Sequence, residues 1–352
     1  MKKILLTATV FAILASPAAA QALALTTYPS PGEIIGSATK SEWVSIAADD
    51  ILVMELAPDA KGKARNIIIQ LVAPPFSQGW VKNIRRLAAA RWWDGTSINR
   101  VQDNYVVQWG DANAEEADAK PLPEELAVVQ ESEYVIDANS LVAGSFQNFA
   151  IARESNVVDK VAQMADEAKY AAEQTDVTND NYIAREFVAP KVDGYSEFTG
   201  FSNGWPFASD FENIWPIHCY GAIGVGRSLS PDTGSGAELY TVIGHAPRHL
   251  DRNIAVVGRV MEGMEYLSSL PRGTGPLGFY ETEEERVSIR SIRLASELPK
   301  DEQPRFEYLS TESKTFALYA DARASRRDPF FITPAGGADI CNIPVPIRRA
   351  AK

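Results

Sequence analysis

The side chains of this 352-residue chain that could do chemistry are few, and most lie late. Its three histidines are His218, His245 and His249. His245 and His249 have the spacing at which one helix face can offer two imidazoles to a metal, but Pro247 between them forbids a regular helix. The Glu that follows the first histidine of a zinc-protease helix is missing too, so no metal site is expected. Gly273-Thr274-Gly275-Pro276-Leu277-Gly278 has the spacing of a dinucleotide-binding turn, yet Pro276 interrupts it and no strand-to-helix passage surrounds it, so it reads as a loop. There is no Gly-x-Ser-x-Gly elbow and no phosphate loop. Nucleophilic catalysis has no supporting constellation, and nothing calls for a cofactor. What is left is the run from Trp93 to Asp111, which carries Arg100 and Gln108. By residue type alone, Arg100 there is a strand arginine in a surface salt bridge.

The elements around that run read as mainly β. Ile51 to Leu56 and Asn66 to Val72 are two apolar, β-branched runs across a charged loop containing Gly62, which suggests a hairpin. Gln78 to Arg91 places Trp80, Val81, Ile84, Leu87 and Ala88 at helical spacing. Ile98 to Gln108 reads as further strand. Ala222 to Val225, Leu239 to Ile243, Ala255 to Val260 and Val287 to Leu294 follow as strands, with a short helix over Met261 to Leu270. Asn156 to Glu173, rich in Ala and free of Pro and Gly, predicts a helix. Many short strands with turns between them fit a barrel or a sandwich with helices at its ends.

Composition narrows the function. With 34 basic and 46 acidic residues the formal charge is −12, against sequence-independent nucleic-acid binding. Residues 112–214 hold 20 acidic and 6 basic residues and thus the whole imbalance, which marks a compositional unit. It reads first as a solvated excursion and second as a surface for basic partners. Lys2 and Lys3, the apolar stretch Ile4 to Ala15, Ser16-Pro17 and the small residues to Ala22 have the order of a cleavable export signal. The apolar stretch is short for a membrane span. A periplasmic or secreted chain without a membrane span is the expectation. In that setting the cysteine pair, Cys219 and Cys341, can form one bridge that ties the tail to the body; two buried free thiols are the alternative.

Trp93-Asp94-Gly95 followed by Asn99-Arg100-Val101 and by Tyr105-Val106-Val107-Gln108-Trp109-Gly110-Asp111 resembles the signature segment of cyclophilin-type peptidyl-prolyl isomerases. Further blocks resemble that family in the same order. They are Gly221 to Arg227, Ala237 to Thr241, Leu250-Asp251, Val257 to Val260 and Glu262-Gly263-Met264. The resemblance implies a closed antiparallel β-barrel capped by helices over residues 41–300. Residues 112–214 then form a partly helical acidic insertion, residues 301–352 a C-terminal extension packed on the barrel, and residues 1–22 the signal. It also implies prolyl isomerisation, a monomer, and proline-containing polypeptides as clients.

Carried over residue by residue, the resemblance makes Arg100 the donor to the prolyl nitrogen and Gln108 the group that orients it. Tyr105, Val106, Tyr240 and Leu250 match walls of the proline pocket, and Gly226 and Arg227 the neighbouring substrate strand. Of the adjacent Leu239 and Tyr240, also counted as substrate-binding, one must face the core, because strand neighbours point opposite ways. The chain departs from the family pattern at several positions. Asn99 stands for a frequent His and Trp109 for a Gly. Glu238 replaces a backbone-binding Gln, His249 lies near a pocket Trp, and Ile254 stands where a pocket His is frequent. Low turnover is one expectation from these departures. The alternative is a proline-segment-binding or envelope scaffold module on the same barrel.

Overall fold

The computed structural model describes residues 28–138 and 193–350. The export signal and the helix expected over Asn156 to Glu173 lie outside the described residues. In chain order the helices are α1 (Pro31–Gly36), α2 (Gln78–Ala89), α3 (Glu265–Ser268) and α4 (Lys314–Ala324). The strands of the first half are β1 (Trp43–Ser45), β2 (Ile51–Leu56), β3 (Arg65–Leu71), β4 (Ser97–Val101), β5 (Val106–Gly110) and β6 (Ile136–Asp137). Those of the second half are β7 (Phe198–Ser202), β8 (Trp205–Ser209), β9 (Asn213–Pro216), β10 (Ala222–Val225), β11 (Leu239–Val242), β12 (Val256–Glu262), β13 (Val287–Leu294), β14 (Phe306–Leu309) and β15 (Ile347–Arg349).

Eight strands close into an antiparallel barrel in the order β10-β11-β5-β4-β13-β2-β3-β12, with β12 returning to β10. Closure pairs every strand on both sides and leaves no edge in the ring. The barrel interior is one apolar cluster, in which Met54, Ile67, Val101, Val107, Trp109 and Val257 are fully buried. α2 adds Trp80, Val81, Ile84 and Leu87 to the same cluster, and α3 adds Leu267. The 3.6-residue repeat of α2 therefore serves to seat it on the barrel.

The sequence reading is corrected in three places. Ile98 to Gln108 is a hairpin, β4 and β5, whose turn has Asn104 in the left-handed region at φ 50°. The helix expected over Met261 to Leu270 is confined to Glu265–Ser268, because Met261 and Glu262 continue β12. The first described end of the acidic stretch, residues 112–138, is largely exposed, as a solvated excursion would be, whereas its second end, from Phe198 on, is not. β6, β9, β8 and β7 form a four-stranded sheet, and Phe201, Ala208 and Trp215 from it are buried.

That sheet shares a second core with both ends of the described chain. Trp43 from β1, Leu309 from β14, Phe316 and Tyr319 from α4, and Ile340 and Ile343 all pack with Phe201 and Trp215. β1, β14 and β15 form a three-stranded sheet, so the segment after residue 300 is paired with the segment before the barrel. Cys219 and Cys341 are joined by a disulfide bond across 122 positions, with Cα atoms 5.2 Å apart. It fixes the tail beside the start of β10. Among the described residues no helix is long and apolar enough to cross a membrane.

Candidate active site

The site begins with strand register. Arg100 on β4 lies opposite Gln108 on β5, Gln108 lies opposite Tyr240 on β11, and Tyr240 lies opposite Gly224 on β10. Opposed residues share a face of the sheet, so these four form one row across four strands, on the outside of the barrel. The adjacent row, Ile98, Trp109, Leu239 and Val225, faces inward, and each of its members is at most 1% exposed. Ile98 and Arg100 are two apart and would share a face in a regular strand. The register shift between them gives β4 an extra residue at Asn99 and turns Arg100 outward. Leu239 is thereby corrected: it belongs to the barrel core, and its neighbour Tyr240 takes the pocket side.

Arg100 is held from several directions. Its Nη1 donates to Gln108 Oε1 at 3.1 Å, its Nε donates to the Leu277 carbonyl at 2.8 Å, and its Nη2 donates to Gln102 Oε1. The guanidinium also lies against two rings, 5.7 Å from the Tyr105 centroid and 5.2 Å from that of Phe279. Partial burial lowers its pKa from the usual arginine value, with Tyr105 opposing the shift. A rigid planar donor fork of this kind suits aiming at one acceptor. The loop that supplies Leu277 and Phe279 is the glycine-bearing segment that reads from sequence as a mere loop. It approaches β4 closely: a Cβ at Gly278, where φ is +82°, would stand 2.7 Å from Gln102 Cα.

Beside this pair lies an apolar hollow. Val106, Ala222, Tyr240, Val242 and Val256 are buried together, with Tyr105, Leu250 and Ile254 packed partly buried against them. Tyr240 forms its floor, and Gly224 permits that placement, since a Cβ there would stand 2.2 Å from the Tyr240 ring. The phenol is pinned from behind, with its hydroxyl 2.9 Å from His218 Nε2 and His218 Nδ1 2.9 Å from Asp251 Oδ1. Arg248 Nε donates to Asp251 Oδ2 at 2.6 Å, and Arg248 Nη2 donates to Asp193 Oδ2 at 2.7 Å. Burial raises the Tyr240 pKa, which keeps the hydroxyl neutral. These polar partners fix the orientation of a ring that apolar packing alone would leave freer.

On the other side of Gln108 a cavity of about 910 Å³ opens, lined among others by Asn99, Asp111, Gly226, Arg227 and Glu238. Gln108 Nε2 donates to Glu238 Oε2 at 3.4 Å, which completes a chain from Arg100 through Gln108 to Glu238. Burial pushes the Glu238 pKa up to about 7, and the nearby Asp111 charge adds to the rise. Gln108, the Asp111 backbone N–H and the Asn99 side chain oppose that rise by hydrogen bonding to the carboxylate.

The sequence-derived residues are distributed as follows. Arg100, Gln108 and Glu238 form the polar chain, and Tyr105, Val106, Tyr240 and Leu250 form the hollow. Gly226 receives its place from its N–H, which donates to the Glu238 carbonyl at 2.8 Å. Arg227 donates to the carbonyls of Asn253 and Ser228 at 2.9 and 2.7 Å at the rim of the cavity. His249 is exposed on the turn that carries Leu250. Gln102, Phe279, His218 and Asp251 escape sequence reasoning. Gln102 lay within the signature segment and could have been flagged as a polar strand end. The other three reach the site only through long-range packing.

Comparison with known proteins accords with this geometry. The family model described as cyclophilin type peptidyl-prolyl cis-trans isomerase/CLD matches residues 61–294. Among solved structures, the cyclophilin AquaCyp293 from Hirschia baltica aligns at 22% identity and a TM-score of 0.56, covering 90% of this chain and 99% of that one. A cyclophilin-type isomerase from Cryptosporidium parvum, solved in the presence of the dipeptide Ala-Pro, aligns at 9% identity and a TM-score of 0.34. That alignment covers 69% of this chain and 98% of the other. No curated protein sequence matches the chain. The chain belongs to the cyclophilin-type peptidyl-prolyl cis-trans isomerase family. It is an enzyme of that reaction class.

Proposed function

We propose that the chain is an exported, monomeric isomerase that speeds X-Pro rotation in other exported polypeptides and so assists their folding, with Arg100 and Gln108 as its working pair. The signal-like start and a disulfide bond, which persists in oxidising compartments, support export. The observation that carries the site assignment is the Arg100–Gln108 bond at the edge of the Tyr240 hollow.

The reaction requires no bond to an enzyme nucleophile. Amide resonance sets a barrier of about 18–20 kcal/mol, and the uncatalysed rotation takes about 10–100 s. Only interactions stronger in the twisted state lower that barrier. A proline ring seated between Val106, Tyr240 and Leu250 is held while the preceding carbonyl turns. As the amide twists, its nitrogen becomes pyramidal and basic, and an Arg100 N–H aimed at it stabilises that state more than either planar isomer. Gln108 holds the guanidinium through Oε1 and is itself oriented by Glu238 through Nε2.

The test is a protease-coupled isomerisation assay on the mature chain. Arg100→Ala is expected to lower kcat/KM about a hundredfold, as for loss of one transition-state donor, and Arg100→Lys should restore little, since a point ammonium lacks the fork. A folded Arg100→Ala variant with the wild-type rate would refute the assignment. A slow, proline-segment-binding protein is the second reading. The three acceptors that already hold Arg100 favour it, because the guanidinium has few N–H groups left to offer. A folded wild type with no rate above the uncatalysed one, yet with affinity for proline peptides, would select that reading.

A further inference from the structure

The clearest charged group unexplained by the isomerase is Arg259. It sits on β12 opposite Gln70 of β3 and Ala222 of β10, on the outer face of the barrel. Its guanidinium lies over the Trp205 ring at 4.3 Å. Nε and Nη2 donate to Gln70 Oε1 at 3.0 and 2.7 Å, and Nη1 donates to the Gly204 carbonyl at 2.8 Å. All three acceptor contacts are to neutral oxygens. Of the five N–H groups of a guanidinium, one on each terminal nitrogen is left over.

Two other enclosed arginines outside the catalytic row are neutralised. Arg248 is paired with Asp251 and Asp193, and Arg293 with Asp94. Arg259 has no carboxylate partner among the described residues. Enclosure without a counter-charge depresses its pKa to about 9, still cationic at neutral pH. The guanidinium is half-buried and keeps part of its hydration, yet a charge held there without a carboxylate calls for an explanation.

The surroundings supply one. Arg259 opens onto a cavity of about 300 Å³ between β12, the β8–β9 sheet and the C-terminal tail. The rest of the lining is uncharged and largely apolar, with Trp205, Ile217, Val260, Met261 and Ile343 as representative walls. The Cys219–Cys341 bond forms part of it. One cation at the side of an apolar chamber is the arrangement that selects a molecule with one negative end and a hydrocarbon body.

We propose that this chamber is a binding site for a small apolar monocarboxylate, whose carboxylate pairs with Arg259 and whose alkyl body lies between Val260, Met261 and the tail. A single cation among apolar walls leaves the further charges of a polyanion such as a nucleotide unpaired, which disfavours it. The same charge disfavours cations. The site shares Ala222 and Val256 with the Tyr240 hollow but none of the Arg100 partners.

Calorimetric titration of the disulfide-intact mature chain with decanoate, and separately with decanol, tests this. Decanoate should bind at least tenfold more tightly than decanol. Arg259→Met should reduce decanoate affinity at least tenfold and decanol affinity little. Val345→Trp, which fills the chamber from the tail and leaves the Arg259 side chain in place, should abolish binding of both, and it keeps the proposal testable if Arg259→Met does not fold. Equal affinities for decanoate and decanol would overturn the proposal. So would unaltered decanoate binding in either folded variant, or no decanoate binding by the wild type.

Discussion

Glu238→Gln isolates one buried carboxyl and gives a quantity that can be worked from the structure. The folded-state pKa of Glu238 is about 7 against an ordinary 4.5, chiefly because burial disfavours the charged form. The groups facing it are Gln108 on β5, Asn99 on β4, Asp111 just beyond β5, and Arg227 across the cavity. Between pH 4.5 and 7 the folded protein holds a proton that the unfolded chain has released. Stability therefore falls as pH rises through that window and levels off above it. At about 1.4 kcal/mol per pKa unit, the ionised carboxyl costs the fold about 3 kcal/mol at alkaline pH. A glutamine there carries no such penalty. Its oxygen can accept from Gln108 Nε2, so that contact is kept. Urea unfolding of wild type and Glu238→Gln, followed by tryptophan fluorescence at several pH values, reads the difference directly because other titrating groups cancel. The variants should be nearly equal near pH 4, with Glu238→Gln ahead by about 3 kcal/mol near pH 8. A difference that does not change with pH would refute the reasoning, since it would mean that Glu238 titrates alike in both states.

Other outcomes follow from the same geometry. Leu239→Ala should lower stability by about 2–5 kcal/mol, measured by urea unfolding, because it opens a cavity in the barrel interior. Tyr240→Phe leaves His218 Nε2 without its partner and should cost about 1–3 kcal/mol of stability. Its kcat/KM should fall far less than that of Arg100→Ala, since the hydroxyl only anchors the ring. Replacing both Cys219 and Cys341 by serine should cost about 4–5 kcal/mol for release of a long loop, visible as a lower urea midpoint with the isomerase site intact.

Much of the barrel is legible in the chain because its cues are local. Strand runs of β-branched residues, the α2 repeat and the Asp94-Gly95 turn each depend on neighbours a few positions apart. Arg100 and Gln108 are findable because the single hairpin that holds them resembles the family signature, and strand alternation makes it clear that only one of Leu239 and Tyr240 can face the pocket. Which of the two does so is not local. It depends on the pairing of β11 with β5, set by contacts more than a hundred residues apart.

By itself, then, the sequence determined the strands of the barrel, because alternation and turn chemistry act over short distances, and its resemblance to the family supplied the residue types of the pocket. Tertiary structure decided the rest. The extra residue at Asn99 turns Arg100 outward only in the context of its pairing with β5. Leu277 and Phe279 reach Arg100, and His218 and Asp251 reach Tyr240, only once the barrel has closed. The β7–β9 strands and the tail become buried by packing on one another, and Trp205 and Gly204 from those strands and their turns cover Arg259 without supplying a counter-charge.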